Sequence, residues 1–277
     1  MASPRRSPQR SPQSPQRSSQ RALHPSSQRT TQRTTGRSPG PAHLVWDWNG
    51  TLLHDIDVVI EATNAAFAEL GIPPITLERY RELYCVPVPR FYARLIGRPP
   101  TEQEWEVMDS TFHRHYFARA DAAGLADGAE RLLRAWGATG QTQSVCSLAP
   151  HDRLRPWVSR LGIDGHFVRI DGAGAGGPVL GKAEQMARHL AALGGIPADR
   201  VVVIGDAADD ARAAAHAGAR AVLHTGGSQS RRSLAATGAP VVDSLAEAVA
   251  LAAELVGAQG YTGGPSTDDG QGVAFSL

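Results

Sequence analysis

The chain is poor in cysteine and nearly devoid of lysine. Its 277 residues hold two cysteines, Cys85 and Cys146, far apart in sequence. Such a pair suggests neither a disulfide framework nor a zinc site. It fits a reducing cytosol, so a cytoplasmic location is expected. Of 28 basic residues only Lys182 is lysine. No apolar run approaches the roughly 18 residues of a membrane span, so no membrane partner is expected. The N-terminus lacks the apolar core of a secretory signal. Pro4, Pro8, Pro12 and Pro15 would break the amphipathic helix of a transit peptide.

Acidic residues are also missing from residues 1–43, which carry eight arginines. The remainder then holds twenty basic groups against 27 acidic ones, a balance of −7. The formal net charge of +1 describes neither part. Residues 1–43 repeat Arg, Ser, Pro, Gln and Thr with almost no large apolar side chains. Such a segment cannot offset its ordering entropy, and disorder is expected. Residues 258–277 read as a second loose tail. The basic tail lacks the interleaved aromatics of a single-strand binder, so nucleic acid is not expected as a partner.

Between the tails, apolar patterning alternates. Leu44–Trp46 is a short apolar run ending at Asp47. Helical spacing covers 57–70, 76–84, 89–96, 102–122 and 128–136, with a Thr101–Glu104 capping box opening the fourth. Strands at 143–148, 167–171, 201–206, 220–225 and 241–243 then alternate with helices at 150–161, 182–193, 209–217, 229–236 and 245–256. The pattern predicts an α/β fold, a Rossmann-like doubly wound parallel sheet. The long helical block predicts an inserted all-helical cap. The expected division is a core of 44–56 and 126–257, a cap of 57–125, and disordered tails at 1–43 and 258–277.

In such sheets chemistry sits beyond the carboxyl ends of the strands. There the chain places Asp47, Ser147, Lys182 opening a helix, and Asp206. A phosphate ester repels an anionic nucleophile, and a divalent cation between them relieves the repulsion. Mg²⁺ takes oxygen ligands and keeps several waters, so Asp47 and Asp206 are candidate ligands. Lys182 adds a positive charge for the transferring group. Ser147 offers a hydroxyl donor, and Gly50 permits close backbone approach to an anion.

Asp47-Trp48-Asn49-Gly50-Thr51-Leu52, Ser147, Lys182 and Gly205-Asp206-x-x-x-Asp210 together resemble the four motifs of the haloacid dehalogenase-like (HAD) hydrolases. The resemblance covers about 44–257, and the insertion matches the helical cap of phosphoglycolate phosphatase-like members. It implies Asp47 as nucleophile, forming a phospho-aspartate, with Ser147 and Lys182 holding the phosphoryl group. It implies Mg²⁺ on Asp47, Asp206 and the backbone carbonyl of Asn49, with Asp210 orienting Lys182 or water in the metal shell. Thr51 would support the loop and, with Gly50, lie at the substrate. The expected substrate is a small phosphorylated metabolite.

One residue departs from the family pattern. Most such phosphatases carry Asp two positions after the nucleophile, as general acid and base. Asn49 cannot move a proton in that way, and such groups contribute about 10²–10⁴-fold. The alternative is a catalytically weak phosphate-binding protein of the same fold. A phosphonatase reading fails because residues 57–125 contain no lysine for a Schiff base. In the cap, Arg90, Arg94 and Arg98 share one helix face and are candidates for meeting an anionic substrate. His113 and His115, two apart and so pointing different ways on a helix, are candidates for a spare base or for a surface role.

Overall fold

The computed structural model describes residues 40–174, 180–258 and 260–261. Most of the two expected tails therefore lies outside the described residues. The fold reaches slightly past both expected boundaries. His43 already lies in the first strand, and Tyr261 packs its ring 6.1 Å from that of Trp136.

The central strand β1, His43–Trp46, is fully buried. It pairs in parallel with β4 (Thr142–Pro150) on one side and β6 (Val201–Gly205) on the other. Beyond β4 lies β5 (Arg169–Ala173). Beyond β6 lie β7 (Arg220–His224) and β8 (Val241–Val242). The six-stranded order is β5-β4-β1-β6-β7-β8, all parallel. Helices follow the strands: α6 (His151–Arg160), α7 (Ala183–Leu193), α8 (Ala208–His216), α9 (Arg231–Ala235) and α10 (Leu245–Val256). With α5 (Ala129–Ala138) preceding β4, this is the expected doubly wound sheet. The third of the expected strands lies two residues later than the pattern placed it. A 3-10 turn at Asp164–His166 delays its start.

Between β2 (Leu53–His54) and β3 (Gly124–Leu125) the chain forms four helices: α1 (Ile56–Glu69), α2 (Leu77–Leu83), α3 (Val88–Ile96) and α4 (Glu102–Ala120). The Thr101–Glu104 capping box opens α4 as expected. Strands β2 and β3 pair antiparallel and clamp the two ends of this helical segment together. That small sheet was not legible in sequence, since two residues per strand leave no periodicity. The segment has its own core of Phe67, Tyr80, Phe91, Tyr92 and Met108, separate from the sheet's.

A polar ladder runs through the sheet interior. The His43 ring bridges Thr142 Oγ1 and Ser144 Oγ, each at 2.7 Å. Ser144 Oγ meets His189 Nε2 at 2.7 Å, and His189 Nδ1 meets Asp171 Oδ2 at 2.8 Å. The Ser–His–Asp order resembles a hydrolytic triad. Ser144 and His189 are buried, so no substrate reaches them. The ladder instead ties α7, which follows Lys182, to β1, β4 and β5. Satisfied buried polar groups of this kind fix one packing arrangement.

Candidate active site

Asp47 ends β1 at the point where the sheet order reverses, with β4 on one flank and β6 on the other. Its backbone N–H donates to Ile204 O at 2.9 Å, which stitches it to the end of β6. Asp206 follows β6, and Asp210 lies in the first turn of α8. Lys182 caps the start of α7. All four are buried.

Lys182 Nζ sits 2.7 Å from Asp47 Oδ1 and 2.5 Å from Asp210 Oδ1. Asp210 Oδ2 also accepts from Ala207 N at 3.1 Å, so both its oxygens are engaged. The Lys182 backbone N–H donates to Asp209 Oδ2 at 2.8 Å. Asp209 thus fixes the backbone that presents the lysine. Asp206 is held by Ser228 N at 2.5 Å and faces Thr51 Oγ1 at 3.4 Å.

Three carboxylates and one ammonium share this burial. One oxygen each from Asp47, Asp206 and Asp210 lies within 4.8 Å of the others. Burial, with Asp206 adding repulsion, raises Asp47 to about 6 despite the opposing pull of Lys182. Burial raises Asp206 and Asp210 as well, with repulsion from Asp210 adding to the first and from Asp47 to the second. For Lys182, burial works against the charge. Asp210 and Asp47 outweigh it and hold the ammonium well above its ordinary value. One ammonium therefore does not neutralise the cluster. An all-oxygen donor set with excess negative charge fits a hard divalent cation.

The loop after Asp47 differs from expectation at several positions. Gly50 has φ of +68°, which a side chain resists, and a Cβ there would stand 2.5 Å from Asp206 Oδ2. Its own N–H donates to Leu53 O at 3.0 Å and Asp55 Oδ1 at 2.8 Å. Thr51 was expected at the substrate. It is buried between Asp206 and His224, behind the carboxylates. Asn49 Nδ2 donates to Asp55 Oδ2 at 2.7 Å and Tyr116 OH at 2.6 Å. Tyr116 OH donates to the same Asp55 oxygen at 2.6 Å. Asp55 and Tyr116 are the polar site residues that the sequence reading missed. Burial raises Asp55, against the pull of its bonds to Tyr116 and Asn49.

Ser147 lies in β4 and lines the same cavity as Asp47, Lys182 and Asp206, a space of about 680 Å³ reaching up between α2, α3 and α4. Its Oγ accepts from Ala149 N at 3.0 Å, leaving the hydroxyl hydrogen for another partner. Arg90 and Arg94 do not line the cavity. Both are exposed, and Arg94 donates to Leu83 O at 3.2 Å. Their helical spacing is real, but the face they share is the solvent face. His113 does line the cavity. Its bond to Asp109 favours the protonated ring. Cys146, beside Ser147, is a packed strand residue whose thiol burial pushes up to about 12.

A doubly wound parallel sheet with an acid-lined, cation-competent cleft at its switch point, roofed by a helical insert, defines a class of α/β protein whose site lies at the strand ends. Residues 41–218 match the family model for haloacid dehalogenase-like hydrolase. The chain belongs to that family and is a hydrolase. It is 30% identical over 189 residues to a phosphoglycolate phosphatase of Cereibacter sphaeroides, covering 66% of this chain and 85% of that one. It is 27% identical over 173 residues to a 5'-nucleotidase of Pseudomonas aeruginosa, covering 61% and 75%. A predicted phosphatase from Clostridium acetobutylicum shares the fold at TM-score 0.67 and 19% identity, over 77% of this chain and 99% of that one.

Proposed function

We propose that this protein is a Mg²⁺-dependent phosphatase that hydrolyses a small phosphomonoester through a phospho-aspartate on Asp47. One observation carries the reading. Lys182 Nζ lies within hydrogen-bond distance of Asp47 and Asp210, and Asp206 completes a carboxylate cluster around them. The phosphatase names of the relatives support it.

Asp47, Asp206 and the Asn49 carbonyl would hold Mg²⁺, which supplies positive charge between two anions when bound. Asp210 keeps Lys182 pointed at Asp47. Asp47, at about 6, is mainly ionised near neutral pH and free to act as nucleophile. The Asp47 oxygen not given to the metal attacks phosphorus, forming one P–O bond as the P–O bond to the leaving group breaks, and the leaving oxygen takes its proton from solvent water. Ser147 and Lys182 donate to the phosphoryl oxygens as negative charge builds on them. Water then attacks the phospho-aspartate, releases inorganic phosphate and restores Asp47. The helical segment acts as the cap that limits water access.

A weaker, phosphate-binding role is the second reading, because Asn49 is bound by Asp55 and Tyr116 and carries no transferable proton. The two readings part in one assay. The enzyme turns over p-nitrophenyl phosphate with Mg²⁺, and Asp47→Asn abolishes turnover. A binding protein takes up a phosphoryl-mimicking metal fluoride without turnover. Activity that survives Asp47→Asn rules out the nucleophile assignment.

A further inference from the structure

We infer that the favoured substrate is a phosphomonoester whose leaving group is uncharged and bears a flat ring, and that short phosphorylated carboxylates are poor substrates. This rests on the phosphatase reading above. The inference comes from the part of the cavity that lies beyond the phosphate-binding groups.

That upper chamber is aromatic. Among the described residues nine aromatic side chains line the cavity, Tyr84, Phe91, Trp105, Phe117 and Trp157 being five of them. Several already meet one another edge to face, as Tyr84 does Phe91 at 5.2 Å and Tyr92 does Trp105 at 5.8 Å between centroids. Such walls favour a flat ring, which gains contact by stacking or by edge approach. Val88 and Leu180, 37% and 75% exposed, extend the apolar lining to accessible positions.

The chamber is also badly suited to a second anion. Among the described residues its only cationic candidate apart from Lys182 is His113, whose charge is already answered by Asp109. Lys182 is engaged by two carboxylates. The helical segment carries seven arginines, and none lines the cavity. Arg98 pairs with Glu104, Arg114 with Glu69 and Arg119 with Glu61 on the outside. Arg81 donates to the carbonyls of Gly226 and Gly227. A leaving-group carboxylate would enter among rings and beside Asp55 with no cation to meet it. An unpaired charge in such surroundings is strongly disfavoured. A two-carbon acid would also leave most of about 680 Å³ unfilled.

The test is a steady-state comparison on the full chain with Mg²⁺. The ring-bearing probes are 5'-UMP and 5'-AMP, and the carboxylate probes are 2-phosphoglycolate and 3-phosphoglycerate. p-Nitrophenyl phosphate serves as the control for hydrolysis itself. At least one nucleotide is expected to exceed both carboxylates in kcat/KM by tenfold or more. Calorimetric titration of the Asp47→Asn protein is expected to give the same order of affinity without turnover. Val88→Lys, at an exposed position that tolerates charge, is expected to shift the carboxylate-to-nucleotide ratio at least fivefold toward the carboxylates.

Control turnover with 2-phosphoglycolate equal to or better than the nucleotides overturns the substrate inference and leaves the phosphatase reading intact. So does a ratio unmoved by Val88→Lys. No Asp47-dependent turnover of any probe overturns both.

Discussion

Replacing Asp47, the proposed nucleophile, should stabilise the metal-free protein while destroying its turnover. Asp47 is held at about 6 rather than 3.8, chiefly because burial penalises its charge. A rise of about two pH units corresponds to about 3 kcal/mol. The sign follows from proton counting. Between pH 3.8 and about 6 the folded chain keeps a proton that the unfolded chain has lost. Stability therefore falls as pH rises through that window and levels off above it. Asparagine carries no charge to desolvate. In chelator, Asp47→Asn should be more stable than the native chain by about 3 kcal/mol at pH 8 and about half that at pH 5. Near pH 3.5 the gap should almost close. Burial depresses His43 and His224, whose contributions are lost as pH falls. Both proteins share them, so they cancel in the difference. Urea unfolding at three pH values gives the measurement. Saturating Mg²⁺ should reverse the ranking, because the proposed ion site uses the carboxylate that the variant lacks. An Asp47→Asn protein less stable than the native chain at pH 8 without metal would refute the burial argument.

Three further substitutions probe the remaining groups. Lys182→Met should lower kcat for p-nitrophenyl phosphate by about 10²–10³-fold, the typical cost of losing a donor aimed at developing charge. Gly50→Ala should cost about 1–2 kcal/mol of stability from its left-handed backbone. Because the new Cβ crowds Asp206, it should also weaken Mg²⁺ binding, read by calorimetry. Asn49→Asp should raise turnover of alkyl phosphates, whose leaving group needs a proton, by about tenfold or more. It should leave aryl phosphates little changed. Equal gains on both would show that the residue acts on something other than the leaving group.

The strand-end acids were legible because each follows a continuous apolar run: Trp46 before Asp47 and Ile204 before Asp206. A parallel sheet converts that local pattern into convergence, since β1 and β6 are register neighbours, Trp46 opposite Ile204. Lys182 stood out as the only lysine. The arginine stripe was misjudged for the same kind of reason. Spacing shows that Arg90 and Arg94 share a face of α3 but not which face meets the cavity. The apolar side of that helix, with Phe91, faces inward.

Asp55 escaped notice because an acid just before a helix reads as an N-cap. Here the side chain makes no capping bond and turns back to Gly50 N and the Asn49 amide. Tyr116 comes from α4, 67 positions from Asn49, so only folding brings it near. Together these contacts explain how asparagine is accommodated. Asp55 is an acceptor, and Asn49 Nδ2 is the donor that meets it. An aspartate at 49 would face that carboxylate with no proton to share unless one of the two were protonated. The replacement at 49 and the acid at 55 are therefore one coupled feature of the loop. Asn49→Asp combined with Asp55→Asn should restore the donor–acceptor match and be more stable than Asn49→Asp alone. Additive effects of the two changes would show that the residues are independent.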